Sequence, residues 1–203
     1  RPLAAYRLHL RIPAEAHVIM GHTRMATQGS AKRNYNNHPF FGHVKGESFA
    51  LAHNGTIWND LELRRTKHLP RTKVQTDSFI AVQLIEQQKS LDFSSLRYTA
   101  EAVDGSFSFT VLSERDDLYL IKGDNPLTIV HFPKVGVYVY ASTAEILNKA
   151  LARCGNWLGR GEKVDIAMGD IVKIDSNGRI TRGTFDASKF YRSSWGYWDT
   201  PLY

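Results

Sequence analysis

The chain holds one cysteine, Cys154, so no internal disulfide can form, and a reducing cytoplasm is the inferred setting. Cys154 follows the helical pattern TAEILNKALAR and precedes Gly155, a helix stop, so a buried or half-buried structural thiol is expected there rather than a nucleophile. No apolar run approaches the length that crosses a bilayer, and no signal-peptide pattern opens the chain, so no membrane partner is expected. Internal repeats and low-complexity segments are also missing. Eight histidines are present, yet neither HExxH nor a Cys/His ligand spacing occurs, which argues against a histidine-based metal hydrolase; no metal and no cofactor is expected.

What remains is an ordinary globular composition. The 203 residues are 42% hydrophobic and 23% charged, enough for one sizeable core or two small ones. The net charge of +6 draws much of its excess from RRTKHLPRTK (64–73). A basic excess can mark a nucleic-acid partner, but no nucleic-acid motif accompanies the run, and a solvated loop explains it.

Hydrophobic periodicity divides the chain into blocks. VIMGHTR (18–24) reads as a short buried strand, TQGSAKRNYNNHPF (27–40) as a polar loop and GESFALAHNG (46–55) as a second strand. TDSFIAVQLIEQQ (76–88) predicts a largely buried helix capped by Thr76 or Asp77, and FSSLRYTAEAV (93–103) a second helix. After Asp104-Gly105 the period changes to two: Phe107, Phe109 and Val111 alternate with Ser106, Ser108 and Thr110, a half-buried strand. DLYLIKG, TIVHF and GVYVYAS continue as strands, with GDNP (123–126) as a turn. TAEILNKALARC is a helix, and DIVKIDSNGRITRG is a hairpin around Asn177-Gly178. Strands, helices, strands, a helix and strands in this order predict an α+β layered fold with mainly antiparallel sheets.

Four polar clusters fall at predicted strand or helix ends: His22-Thr23-Arg24 with Thr27, Asn37-His38-Pro39, His53-Asn54-Gly55, and Thr76-Asp77. Asn-Gly is a strong hairpin signal, because both residues tolerate positive φ. It can also present a side-chain amide and a backbone N–H to an oxyanion. An arginine can fork onto a carboxylate, and an aspartate at a helix start can hold an ammonium group or simply cap the helix. Together the clusters describe a pocket for a free α-amino acid whose side chain carries a carbonyl open to attack.

GHTRMATQG, NNHPF, AHNGTIWN, TDS, DGSFSF, KGDNPL, YASTAEIL and MGDIV occur in one order. Over roughly residues 18–175 the chain resembles the glutaminase domain of class II glutamine amidotransferases, which are N-terminal-nucleophile hydrolases. The resemblance implies an αββα sandwich of two stacked antiparallel sheets and hydrolysis of the glutamine side-chain amide, with ammonia passed to an acceptor. By motif, Arg24 looks like the clamp on the glutamine α-carboxylate, helped by Thr27, and Asp77 like the partner of the α-ammonium. Asn54 and Gly55 look like the oxyanion hole, making their turn both a turn and a donor pair. His53 belongs with the substrate-binding set, and it, His22 and His38 look like residues that hold the loops rather than acid–base catalysts.

The family's nucleophile is an N-terminal cysteine whose α-amine serves as base. Here the sequence starts at Arg1, only 20 residues precede Gly21, and no cysteine precedes GHTR. Three explanations stand: a first segment lies outside this sequence, it belongs to another polypeptide, or catalysis was lost and the fold kept. Met25, Gln28 and Phe79 also depart from residues frequent in the family. The expected organisation is therefore a glutamine amidotransferase domain over 1–185, incomplete at its N-terminus, and an aromatic tail over 186–203 that packs on this domain or on a partner. Two functions are carried forward: a glutaminase that supplies ammonia to a synthase or ligase, and a catalytically inactive amino-acid-binding or regulatory module of the same fold. The acceptor is unreadable, and the assembly state is left open, a homo-oligomer included.

Overall fold

The computed structural model describes residues 12–13, 15–23, 28–30 and 32–190. Arg24, Thr27 and the tail beyond residue 190 lie outside the described residues. The elements run β1 (Phe40–Val44), β2 (Glu47–Ile57), α1 (Asp60–Thr66), α2 (Phe79–Gln88), α3 (Phe93–Ala102), β3 (Gly105–Ser113), β4 (Leu118–Lys122), β5 (Thr128–Phe132), β6 (Val137–Ala141), α4 (Ala144–Leu151), β7 (Glu162–Val164), β8 (Asp170–Ile174) and β9 (Ile180–Thr184). One antiparallel sheet has the order β1-β2-β3-β4-β8-β9; a second, three-stranded one has the order β6-β5-β7.

Alternation along the central strands builds two cores. Phe107, Phe109 and Val111 of β3, with Leu51 of β2 and Ile121 of β4, face α2 and α3 and meet Ile80, Leu84 and Leu96 there. The other face sends Leu118, Leu120, Val172 and Ile174 toward Ile129 and the second sheet. Helix α4 lies against β6. The layers are therefore helices, sheet, sheet, helix, as the resemblance implies. Both faces of β3 and β4 are covered, and burial of each large apolar side chain contributes about 1.5–3 kcal/mol. Ala187 and Phe190 are buried in the helix-side core, so packing continues past residue 185.

Local chemistry sets the element ends. A capping box starts α3: Asp92 Oδ1 accepts from Ser95 N–H at 2.9 Å, and Ser95 Oγ accepts from Asp92 N–H at 3.0 Å. The β8–β9 hairpin turns through 175–179, where Asp175 Oδ1 accepts from the N–H groups of Asn177 and Arg179, both at 2.9 Å.

The structure corrects several expectations. Residues 18–23 form no strand: Ile19 is exposed, and no neighbouring strand offers them a ladder among the described residues. A strand lies instead at Phe40–Val44, joined to β2 through Lys45-Gly46, with Gly46 at φ +77°. Arg64 and Arg65, expected in a loop, close α1. Helix α2 begins at Phe79 with Ser78, not Thr76 or Asp77, as its N-cap, and it has no side-chain cap bond: the Ser78 hydroxyl meets His53 and the Asp77 carboxylate meets the Ile57 N–H. Cys154 is exposed, since α4 ends at Leu151 and the following turn carries the thiol outward.

Candidate functional site

Asn54-Gly55 does not reverse the chain. Both residues lie inside β2, which stays in register with β3 from Phe49↔Ser113 to Ile57↔Gly105. The long connection from β2 to β3 carries α1, α2 and α3 instead of a tight turn. Gly55 has φ +140°, a conformation that favours glycine, and a Cβ there would stand 1.8 Å from the Ser106 carbonyl oxygen. The glycine therefore serves close approach of two strands.

Pairing of β1 with β2 stops at Phe40↔Leu51, so among the described residues the far end of β2 has no strand on that edge. Antiparallel alternation turns the backbone groups of residues 53, 55 and 57 toward that edge, while even residues bond β3, a set continued by Trp58 N–H to Asp104 C=O at 2.8 Å. Side chains occupy part of it. His22 Nε2–H donates to the His53 carbonyl at 3.0 Å, and the Ile57 N–H donates to Asp77 Oδ2 at 2.6 Å. The Gly55 N–H faces the interval between these two anchors.

Side chains alternate as well. His53 points into the helix-side core, 2% exposed, with its ring centroid 5.0 Å from that of Phe109. Its Nδ1 lies 2.8 Å from Ser78 Oγ and its Nε2 3.5 Å from the Ser106 carbonyl. A carbonyl only accepts, which favours the proton on Nε2 and a bond from the Ser78 hydroxyl to Nδ1. Burial pushes the imidazole pKa down to about 4; the charge of Asp77 and the Ser106 carbonyl oppose this, and His22 adds to it. His53 is thus a neutral support beneath the strand. The His22 ring packs against His38 at 4.2 Å between centroids, and His38 against Phe40 at 4.5 Å, which ties segment 20–23 to the start of β1.

Asn54 projects from the opposite face of β2 into a cavity of about 550 Å³. Ala52, Ser108 and Thr110 form its sheet side; His22, Thr23, Tyr140 and Ser142 line other sides. That size falls in the range of roughly 300–1,000 Å³ typical of small-ligand sites. Asp77 is not among the lining residues; it reaches the same strand end through Ile57. Cys154 does not line the cavity either.

Three contributors escape the sequence reading: Ser78, Ser106 and Asn125. KGDNPL reads as a turn, yet Asn125 Nδ2 donates to the Asn54 carbonyl at 2.7 Å, and its Oδ1 accepts from Ser106 Oγ–H at 2.9 Å. The signal is topological. β4 runs parallel to β2 with β3 between them, so the loop after β4 returns to the end of the sheet where Asn54 sits.

A family model described as "Glutamine amidotransferase domain" matches residues 22–149, more than half of the chain. Glutamine–fructose-6-phosphate aminotransferase (isomerizing) from Streptococcus agalactiae is 33% identical over 120 residues, covering 54% of this chain and 19% of that protein. The enzyme of the same name from Sulfolobus acidocaldarius is 36% identical over 120 residues, covering 56% of this chain and 20% of that protein. Amidophosphoribosyltransferase from Methanothermobacter thermautotrophicus is 27% identical over 166 residues, covering 79% and 33%. The chain thus spans a third or less of the length of these relatives. Among solved structures, glutamine phosphoribosylpyrophosphate amidotransferase from B. subtilis aligns with a TM-score of 0.63 at 19% identity, covering 81% of this chain and 34% of that chain; the likeness is one of fold.

Proposed function

Since the chain belongs to the glutamine amidotransferase domain family, we propose that it binds free glutamine beside the far end of β2 and hydrolyses the side-chain amide, supplying ammonia to a synthase or ligase partner. The observation that carries this reading is the convergence on one strand end of the Asn54 amide, the outward Gly55 N–H and the Asp77 carboxylate, next to a cavity of about 550 Å³.

In this reading Arg24 forks onto the α-carboxylate with help from Thr27, and Asp77 holds the α-ammonium. A cysteine thiolate supplied by a segment outside this sequence attacks the amide carbon. The carbonyl electrons move onto oxygen, where Asn54 Nδ2–H and Gly55 N–H stabilise the charge. The C–N bond then breaks as the nitrogen takes the proton given up by the thiol, carried by the nucleophile's own α-amine, and ammonia leaves; water attacks the thioester carbon, releasing glutamate and returning the thiol. His22, His38 and His53 keep the segments in register and move no proton. The single, exposed Cys154 fits a reducing cytoplasm, where a free thiol persists.

The second reading, an inactive module that keeps the amino-acid pocket, differs from the first in turnover alone. Assaying the complete gene product for glutamine binding and glutamate release separates the two. Release that falls in Asn54→Ala supports the enzyme; binding without release supports the module; neither binding nor release overturns both.

A further inference from the structure

The Asn54 carbonyl and the Gly55 N–H belong to one trans peptide, so they point in opposite directions. The N–H faces the edge of β2 away from β3. The carbonyl faces β3 and the loop after β4, where Asn125 Nδ2 meets it at 2.7 Å. The orientation of the Asn125 amide is fixed by chemistry, because the reverse would set its oxygen against the Asn54 carbonyl. Ser106 holds that orientation by donating to Oδ1 at 2.9 Å. Asp124 Oδ1 accepts the Phe107 N–H at 2.9 Å, pinning the loop to β3. The fit at Gly55 is close: a Cβ there would lie 2.6 Å from Asn125 Nδ2.

A hydrogen bond to a peptide carbonyl draws electron density from the amide and makes its N–H a stronger donor, and it fixes the peptide plane. An oxyanion hole depends on both properties, because its donors must be aimed before charge develops. We propose that Asn125 is a positioning residue for glutamine hydrolysis, holding and polarising the Asn54–Gly55 peptide from behind. This rests on the reading of Asn54 and Gly55 as the oxyanion hole. Asn125 touches no substrate; Ser106 acts one step further back.

The test uses the complete gene product with glutamine as substrate. Asn125→Ala is expected to lower kcat about tenfold while KM stays within about twofold, the pattern of an interaction felt only as charge develops. Asn125→Asp, which sets a carboxylate against the Asn54 carbonyl, is expected to lose more. In a ¹⁵N-glycine-labelled sample the Gly55 amide proton moves upfield in both variants, a change that a loop staple alone does not produce. Should both variants fail to fold, Ser106→Ala decides, with a smaller kcat loss and a smaller upfield shift expected. Asn54→Ala is the control. An unchanged kcat there removes the oxyanion reading and this inference with it. A lowered kcat there, with kcat or the Gly55 shift unmoved by the substitutions at 125 and 106, overturns this inference alone.

Discussion

The Asp77 carboxylate accepts the backbone N–H of Ile57 at 2.6 Å, joining the residue before the N-cap of α2 to the last residue of β2. Both residues are buried, Asp77 at 3% exposure and Ile57 at 0%. Asp77→Ala leaves that N–H without its acceptor, an expected cost of about 1–3 kcal/mol in denaturant unfolding. Asp77→Asn keeps an acceptor and loses the charge, so stability falls less while KM for glutamine rises. Equal KM in Asp77→Asn and the parent protein removes Asp77 from ammonium binding.

Gly55→Ala sets a methyl group against the Ser106 carbonyl and forces a positive φ on a residue with a Cβ. It is expected to cost at least about 2 kcal/mol and to abolish turnover. Gly46, also at positive φ but with open space around its Cβ position, is the comparison: Gly46→Ala costs about 1 kcal/mol and leaves turnover intact. Similar losses at the two positions would contradict the close-approach account.

Arg24→Lys replaces a fork with a point charge and is expected to raise KM for glutamine about tenfold or more at nearly constant kcat. Unchanged KM removes Arg24 from the carboxylate site.

His53 gives the acid limb of stability a defined origin. Its folded pKa of about 4 lies below the ordinary 6.5 because burial disfavours the imidazolium. The unfolded chain therefore binds a proton that the folded one refuses between these values. The His53 contribution is full above pH 6.5 and is lost as pH falls to about 4. Denaturant midpoints across that interval should decline less steeply in His53→Gln. The same slope in both proteins assigns the acid sensitivity elsewhere.

Cys154, exposed beyond α4, is expected to be dispensable. Cys154→Ser retains glutamine turnover, and an electrophilic glutamine analogue labels a different cysteine of the complete gene product. Modification of Cys154 by that analogue, mapped by mass spectrometry, overturns the assignment.

Period-two alternation in Phe107-Ser108-Phe109-Thr110-Val111 and the buried run of α2 made the layers readable, because each pattern has one way to bury its apolar face. Three features were not readable. VIMGHT has the apolar content of a strand, but strand formation needs a neighbouring edge, which a local pattern does not report. Asn54-Gly55 carries the composition of a tight turn, yet pairing with β3 keeps it extended and turns the glycine's freedom to another use. Asn125 looks like any residue of a Gly-Asp-Asn-Pro turn; its meaning depends on β3 lying between β4 and β2. The motifs nominate candidate site residues by type and spacing, whereas Ser78, Ser106 and Asn125, which bond to His53 and the Asn54 carbonyl from behind, carry no such signal.

Because β2 sends His53 to one side and Asn54 to the other, its length is under double constraint. Inserting or deleting a single residue between Leu51 and His53 would exchange the two surfaces, putting an amide in the helix-side core and an imidazole in the cavity. Homologous chains should vary freely in the number of residues between α1 and α2, while this stretch keeps a constant count.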